Sequence, residues 1–175
     1  NDWYDSHKFV DVFVHQEGEI TFNEILKGID FANIGGISYH DDSVLHRNGL
    51  GKRIQKLEDV DSPYLIGLFD DMKVPDNYVL NAVMENDRGC PYRCNFCVWP
   101  SSMTNNDPDG TSSRKVRQYS PEYIRDYMDY TQSQFPYKTI FVDDDTFNIG
   151  NKHTIEMAKV FGETGLPWNA LVRAD

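Results

Sequence analysis

The sequence predicts an α/β protein built largely on parallel strands, and two observations carry that prediction. Between residues 79 and 172 the elements read strand, loop, helix, strand, helix, strand, an order that implies a parallel sheet with right-handed crossovers. Ahead of them, Phe9-Val10-Asp11-Val12-Phe13-Val14 is apolar at five of six positions and leads through a glycine-containing turn into a helix. A length of 175 residues suits one domain or two small ones, on a scale of roughly 100–200 residues per domain.

Each element has its own signal. Phe9 to Val14 reads as a buried strand rich in β-branched and aromatic residues. Thr21 and Glu24 have the spacing of a capping box, which starts a helix at Thr21 with Ile25, Leu26 and Ile29 inward and Gly28 near its end. Ile34-Gly35-Gly36-Ile37-Ser38-Tyr39-His40 and Val44-Leu45-His46-Arg47 flank Asp41-Asp42-Ser43, the pattern of a hairpin. Asn48 to Tyr78, with Pro63 and Pro75, is expected to pack with little regular structure. Val79 to Glu85 reads as a strand, and a loop rich in Ser, Asn, Asp and Gly runs on to about Gln118, with Lys115 and Arg117 as loop charge.

Ser120-Pro121-Glu122 begins a helix: a serine N-cap, a proline at the first helical position and an acid in the first turn. Tyr123, Ile124, Tyr127 and Met128 recur on its face. Lys138 to Val142 is a second strand, ending in Asp143-Asp144-Asp145. A helix from about Asn151, with Ile155, Ala158 and Phe161 inward, stops at Gly165 and Pro167. Trp168 to Val172 is the third strand. Function in such sheets gathers at the carboxyl ends of the strands, where the cysteines, the Asp run and Arg173 all fall.

A net charge of −11 argues against nonspecific binding to nucleic acid or to an anionic membrane. No apolar run reaches the roughly 18 residues of a membrane-spanning helix, and Asn1-Asp2-Trp3-Tyr4-Asp5 lacks the pattern of a signal peptide. The start without Met and the stop after a third strand lead us to expect a piece of a longer chain.

The cysteines are the sharpest feature. Cys90, Cys94 and Cys97 are the whole complement, an odd number within eight residues, which argues against a disulfide framework and for a reducing, cytoplasmic setting. They stand in Arg88-Gly89-Cys90-Pro91-Tyr92-Arg93-Cys94-Asn95-Phe96-Cys97, just past a strand. Thiolates are soft ligands for iron–sulfur clusters, zinc or copper(I). Three on one short loop can hold three corners of a cubane 4Fe–4S cluster and leave the fourth iron open, whereas a structural site is normally closed by a fourth ligand.

This CxxxCxxC motif, with an aromatic residue before its last cysteine, resembles the radical S-adenosylmethionine enzymes. The resemblance implies that Cys90, Cys94 and Cys97 ligate a 4Fe–4S cluster. It further implies that the open iron chelates S-adenosylmethionine, and that the cluster cleaves it to methionine and a 5′-deoxyadenosyl radical. Phe96 matches the aromatic position near the adenine. Asp143-Asp144-Asp145 stands where the family often has Gly-Gly-Glu, so Asp144 and Asp145 are candidate contacts to the methionine amino group, and Arg173 faces the same cavity by position. Val10 to Val14, Glu17-Gly18-Glu19, Thr21-Phe22, Glu24-Ile25-Leu26 and Gly35-Gly36-Ile37 resemble the closing part of a cobalamin-binding Rossmann-like domain, with Glu17, Gly18 and Glu19 as candidate cobalamin contacts.

The expected division is therefore 1–33 as the end of that domain, 34–78 as hairpin and linker, and 79–175 as the first βα units of a partial (β/α) barrel. The implied activity is cobalamin-dependent methyl transfer to an unactivated carbon of a small molecule, with an electron donor such as flavodoxin or ferredoxin.

The competing readings are a methylthiotransferase, a ring-forming radical oxidoreductase, and a noncatalytic zinc-stabilised interaction module. The first usually carries extra cysteines, and residues 1–89 have none. The last needs a fourth ligand, yet His7, His15, His40, His46 and His153 all lie far from the motif in sequence. The Asp run also reads as a solvated turn or a Mg²⁺ site, Glu17-Gly18-Glu19 as an ordinary helix start, and Trp99 and Pro100 as cavity lining or loop packing.

Overall fold

A computed structural model describes residues 3–92, 94–97 and 116–174. Trp99, Pro100 and Lys115 lie outside the described residues. The chain forms two units, the first from the residues up to Gln55 together with Phe96 and Cys97, the second from Lys56 to Asn95 and from 116 onward.

In the first unit, helix α1 (Trp3–Ser6) precedes β1 (Val12–Val14), α2 (Glu19–Leu26), a 3₁₀ turn (Phe31–Asn33), β2 (Ile37–Asp41) and β3 (Val44–Arg47). The three strands form one antiparallel sheet in the order β1-β2-β3, with Val12 opposite Tyr39 and Asp41 opposite Val44. The hairpin is as expected. Its two loop residues, Asp42 and Ser43, have φ of 43° and 68°, the left-handed pair of the two-residue turn that matches strand twist.

The opening strand differs from expectation. It keeps only three residues, and Phe9 is exposed. Helix α2 starts two residues before Thr21, on Gly18 as N-cap, so there is no capping box. Thr21 is instead buried, its hydroxyl donating to the Gly35 carbonyl at 3.3 Å. Leu26 and Ile29 face outward, leaving Ile25 to pack with Ile34, Ile37 and Tyr39. Gly36, at φ 77°, lies so near Gly51 that an added Cβ would sit 2.8 Å from the Gly51 Cα; the Gly-Gly pair allows two backbone segments to touch.

In the second unit, residues 56–80 carry only one 3₁₀ turn (Leu57–Asp59) and a run of turns, as the prolines predicted. Then come β4 (Asn81–Met84), β5 (Asp87–Arg88), β6 (Arg117–Gln118), α3 (Pro121–Gln134), β7 (Thr139–Val142), α4 (Asn151–Glu163) and β8 (Trp168–Ala170). Strands β4, β7 and β8 form the expected parallel sheet, in that order. The Ser120 hydroxyl caps α3 by accepting from the Tyr123 N–H at 3.2 Å, with Pro121 in the first turn.

The core lies between this sheet and the two helices: Met84, Ile124, Met128, Tyr137, Ile140, Val142, Phe147, Met157, Val160 and Phe161 are buried. Two expectations shift here. The inward stripe of α4 is Met157, Val160 and Phe161, while Ile155 is exposed. Arg117 is buried rather than loop charge, because β6 pairs antiparallel with β5 and sets Arg117 opposite Arg88. No helix among the described residues is long and apolar enough to cross a membrane.

Candidate functional site

Strands β4, β7 and β8 run parallel, so the segments after Met84, Val142 and Ala170 emerge at one edge of the sheet. Those segments carry Asn86 to Cys94, the Asp run with Thr146, and Arg173. Hydrogen bonds tie the first two together. One Asp144 carboxylate oxygen accepts from the backbone N–H of Asn86 at 2.8 Å and of Asp87 at 3.0 Å. The other accepts from the Asn86 side-chain amide. Asn86 Oδ1 in turn faces His153 Nε2, from α4, at 3.0 Å. Asp145 accepts from the Gly89 backbone N–H. One residue further along each segment, Thr146 Oγ1 lies 3.7 Å from Cys90 Sγ. Gly89 has φ 113°, a conformation that only glycine adopts freely, and it turns the chain into the cysteine loop.

The site is acidic and largely dry. Asn86 is 0 %, Asp144 1 % and Asp87 2 % exposed. Burial raises the Asp144 carboxyl above its usual range, against the pull of the three donors from Asn86 and Asp87. It raises Asp145 too, with the Gly89 N–H opposing and the Asp143 charge adding. Asp87 is pushed up to about 8, first by burial and then by the charges of Asp144 and Asp145, with a Gln118 hydrogen bond opposing. Burial pushes His153 below its usual value, with the charge of Glu156 opposing.

Arg173 lies against the cysteine loop, its guanidinium 3.8 Å from the centre of the Tyr92 ring. Its backbone is pinned by Asn148, whose side chain accepts from the Arg173 N–H at 2.8 Å and donates to the Arg173 carbonyl at 2.9 Å. All three cysteines are free thiols and half-buried, which suits soft metal ligation. Cys90 and Cys94 belong to the second unit and Cys97 to the first. Among the described residues, no three His, Cys, Asp or Glu side chains converge as a metal site. Phe96 is 93 % exposed.

In the first unit, Gly18 caps α2, Glu19 is exposed in its first turn, and Glu17 is buried with Arg53, the two charges 4.0 Å apart. Sequence reasoning missed Asn86, Asp87, His153, Asn148 and Tyr92. The available signal was the polar pair Asn86-Asp87 between a strand and the cysteine motif. His153, 67 positions along the chain from its partner Asn86, offered none.

No family model matches the sequence. The chain is 27 % identical over 176 residues to the cobalamin-dependent radical SAM methyltransferase TokK of Streptomyces tokunonensis, an alignment that covers 94 % of this chain and 24 % of TokK. Among solved structures, the cobalamin-dependent S-adenosylmethionine radical enzyme OxsB matches with TM-score 0.66 and 23 % identity, over 100 % of this chain and 25 % of OxsB. The radical S-adenosylmethionine methyltransferase TsrM of Kitasatospora setae, solved with cobalamin and a [4Fe-4S] cluster bound, matches with TM-score 0.54 and 16 % identity, over 86 % of this chain and 30 % of TsrM. The chain thus spans about a quarter of the length of TokK and OxsB. Its α/β fold matches that of part of OxsB. The likeness extends along nearly the whole chain, which is thus similar to cobalamin-dependent radical SAM enzymes.

Proposed function

We propose that this protein is a cobalamin-dependent radical SAM enzyme that transfers a methyl group to an unactivated carbon of a small-molecule substrate. The observation that carries the reading is the cysteine motif leaving the carboxyl edge of a parallel sheet, where the Gly89 N–H and the two residues ahead of the motif, Asn86 and Asp87, are hydrogen-bonded to the acidic turn after β7. The similarity to TokK, a methyltransferase of this kind, supports the reaction class.

Cys90, Cys94 and Cys97 would hold a 4Fe–4S cluster; their donor chemistry fits, since all three are free and half-buried. When bound, the cluster supplies the electron that cleaves S-adenosylmethionine reductively, and cobalamin supplies a methyl carrier. The chain's own residues bind and orient. Asp145 is half-buried and oriented by the Gly89 N–H, and we assign it the ammonium group of S-adenosylmethionine. Asp144, the other candidate, has both oxygens engaged. Arg173, resting on Tyr92, borders the cysteine loop and suits a carboxylate. Phe96 offers an exposed ring for the adenine. Glu17, Gly18 and Glu19 fall to the cobalamin side, in a domain ending near residue 33, followed by the hairpin and linker of 34–78 and the barrel units of 79–175. The electron donor would be a flavodoxin or ferredoxin, and the setting the cytoplasm.

Metal analysis of the full-length protein, purified without air, tests the reading. A brown sample carrying iron and sulfide is the expected result. A colourless sample with one equivalent of zinc would replace the enzyme with a zinc-stabilised interaction module.

A further inference from the structure

The acidic turn after β7 does more than offer a carboxylate to a cofactor. Asp144, Asp145 and Thr146 lie in step with the segment that enters the cysteine loop: Asp144 takes the N–H groups of residues 86 and 87, Asp145 that of Gly89, and Thr146 stands beside Cys90. Two strands that pair through Met84 and Val142 therefore continue to be held together beyond the ends of their ladder, by side chains. The Tyr119 N–H, donating to the Asn86 carbonyl at 3.0 Å, fixes the same segment from the other side.

The chemistry of the groups determines how they are oriented. A carboxylate only accepts, so the Asn86 amide turns its NH₂ to Asp144, and its oxygen is left to accept from His153 Nε2–H. His153 thus holds Asn86, Asn86 holds Asp144, and Asp144 holds the backbone three residues before the first cysteine. With Asn86 and Asp144 shut off from water, breaking one link strands the remaining donors.

We propose that Asp144, Asn86 and His153 are positioning residues that set the entry of the cysteine loop, so that Asp144 acts on cluster loading and not as a contact to S-adenosylmethionine. The inference rests on the functional reading above for what the loop holds, though not for the positioning itself.

Two measurements on the full-length protein separate these. In the metal-free protein, backbone amide exchange over residues 85–90, followed by mass spectrometry, reads the positioning alone. Asp144→Asn sets two amide NH₂ groups against each other and is expected to speed that exchange about tenfold. Anaerobic reconstitution is then expected to load several-fold less iron and sulfide. The double variant Asn86→Asp with Asp144→Asn restores one carboxylate facing one amide, still accepting from His153, and should recover both readouts. His153→Gln, which keeps an N–H donor, should behave as wild type, and His153→Leu should exchange about threefold faster.

Wild-type exchange and loading in Asp144→Asn, with loss only of the spectral change on adding S-adenosylmethionine, would overturn the proposal. A double variant no better than the single one would do the same. If Asp144→Asn does not fold, His153→Leu decides by the same exchange readout, and wild-type exchange there counts against the proposal. A wild-type protein that loads no cluster removes the functional reading while the exchange series still decides the positioning.

Discussion

In the first unit the buried apolar cluster is Ile34, Ile37 and Tyr39 beside an antiparallel sheet, whereas in the second ten buried side chains lie between a parallel sheet and two helices. The first unit relies on local backbone devices: a two-residue turn with both φ angles positive and glycine segments in close approach. The second relies on burial across long sequence separations, and at the carboxyl edge of its sheet it buries polar groups as well, Asn86, Asp87, Asp144 and Thr146. Hairpin turns are specified by adjacent residues, while a buried polar cluster stands only when partners from several elements meet. Cys90, Cys94 and the acidic turn sit in the region whose polar groups depend on the whole unit, while Cys97 belongs to the first unit.

The contrast is broken most severely by Phe161→Ala. Phe161 is fully buried against Phe147 and Trp168, and its loss is expected to cost about 3–5 kcal/mol in urea unfolding. Ile37→Val, in the smaller cluster, is expected to cost about 0.5–1.5 kcal/mol.

Next is Asp87, the buried acid with the most displaced titration. Its carboxyl titrates near 8 in the folded protein, against an ordinary value of 3.8 once unfolding exposes it to water, so the folded protein binds the extra proton between those values. Stability should therefore fall as pH rises from about 4 to about 8 and level off above. Asp87→Asn should remove that slope and, above pH 8, stabilise the metal-free protein by roughly 3 kcal/mol, the scale of an uncompensated buried charge. Unfolding curves at several pH values check both sign and window.

Ser120→Ala removes the cap of α3 and should cost about 1 kcal/mol. The smallest effect is expected in the hairpin: Ser43→Gly relieves a left-handed residue at φ 68° and should gain about 0.5–1 kcal/mol.

The same contrast explains what could be read in advance. The hairpin, the capped start of α3 and the spacing of the cysteines were legible because each depends on residues close together in sequence, and the parallel sheet was legible from the alternation of strands and helices, although its pairs are as much as 58 positions apart. The faces of α2 and α4 were not, with Leu26 and Ile155 exposed and Thr21 and Met157 buried. A helix of 8 or 13 residues admits neighbouring stripes, and the sheet it packs on selects one. Arg117 read as loop charge because the β5–β6 pairing joins residues about thirty positions apart across a polar stretch. The relay from His153 through Asn86 to Asp144 joins three elements, and no local pattern announces it.

In the proposed function Cys90, Cys94 and Cys97 would hold a cluster with one iron open to S-adenosylmethionine. The most direct test is electron paramagnetic resonance of the full-length protein, reconstituted anaerobically with iron and sulfide and then reduced. The expected result is a 4Fe–4S signal whose line shape changes when S-adenosylmethionine is added, and which is lost when any one of the three cysteines is changed to alanine. A reduced protein with no cluster signal, or with one that S-adenosylmethionine leaves unchanged, would contradict it.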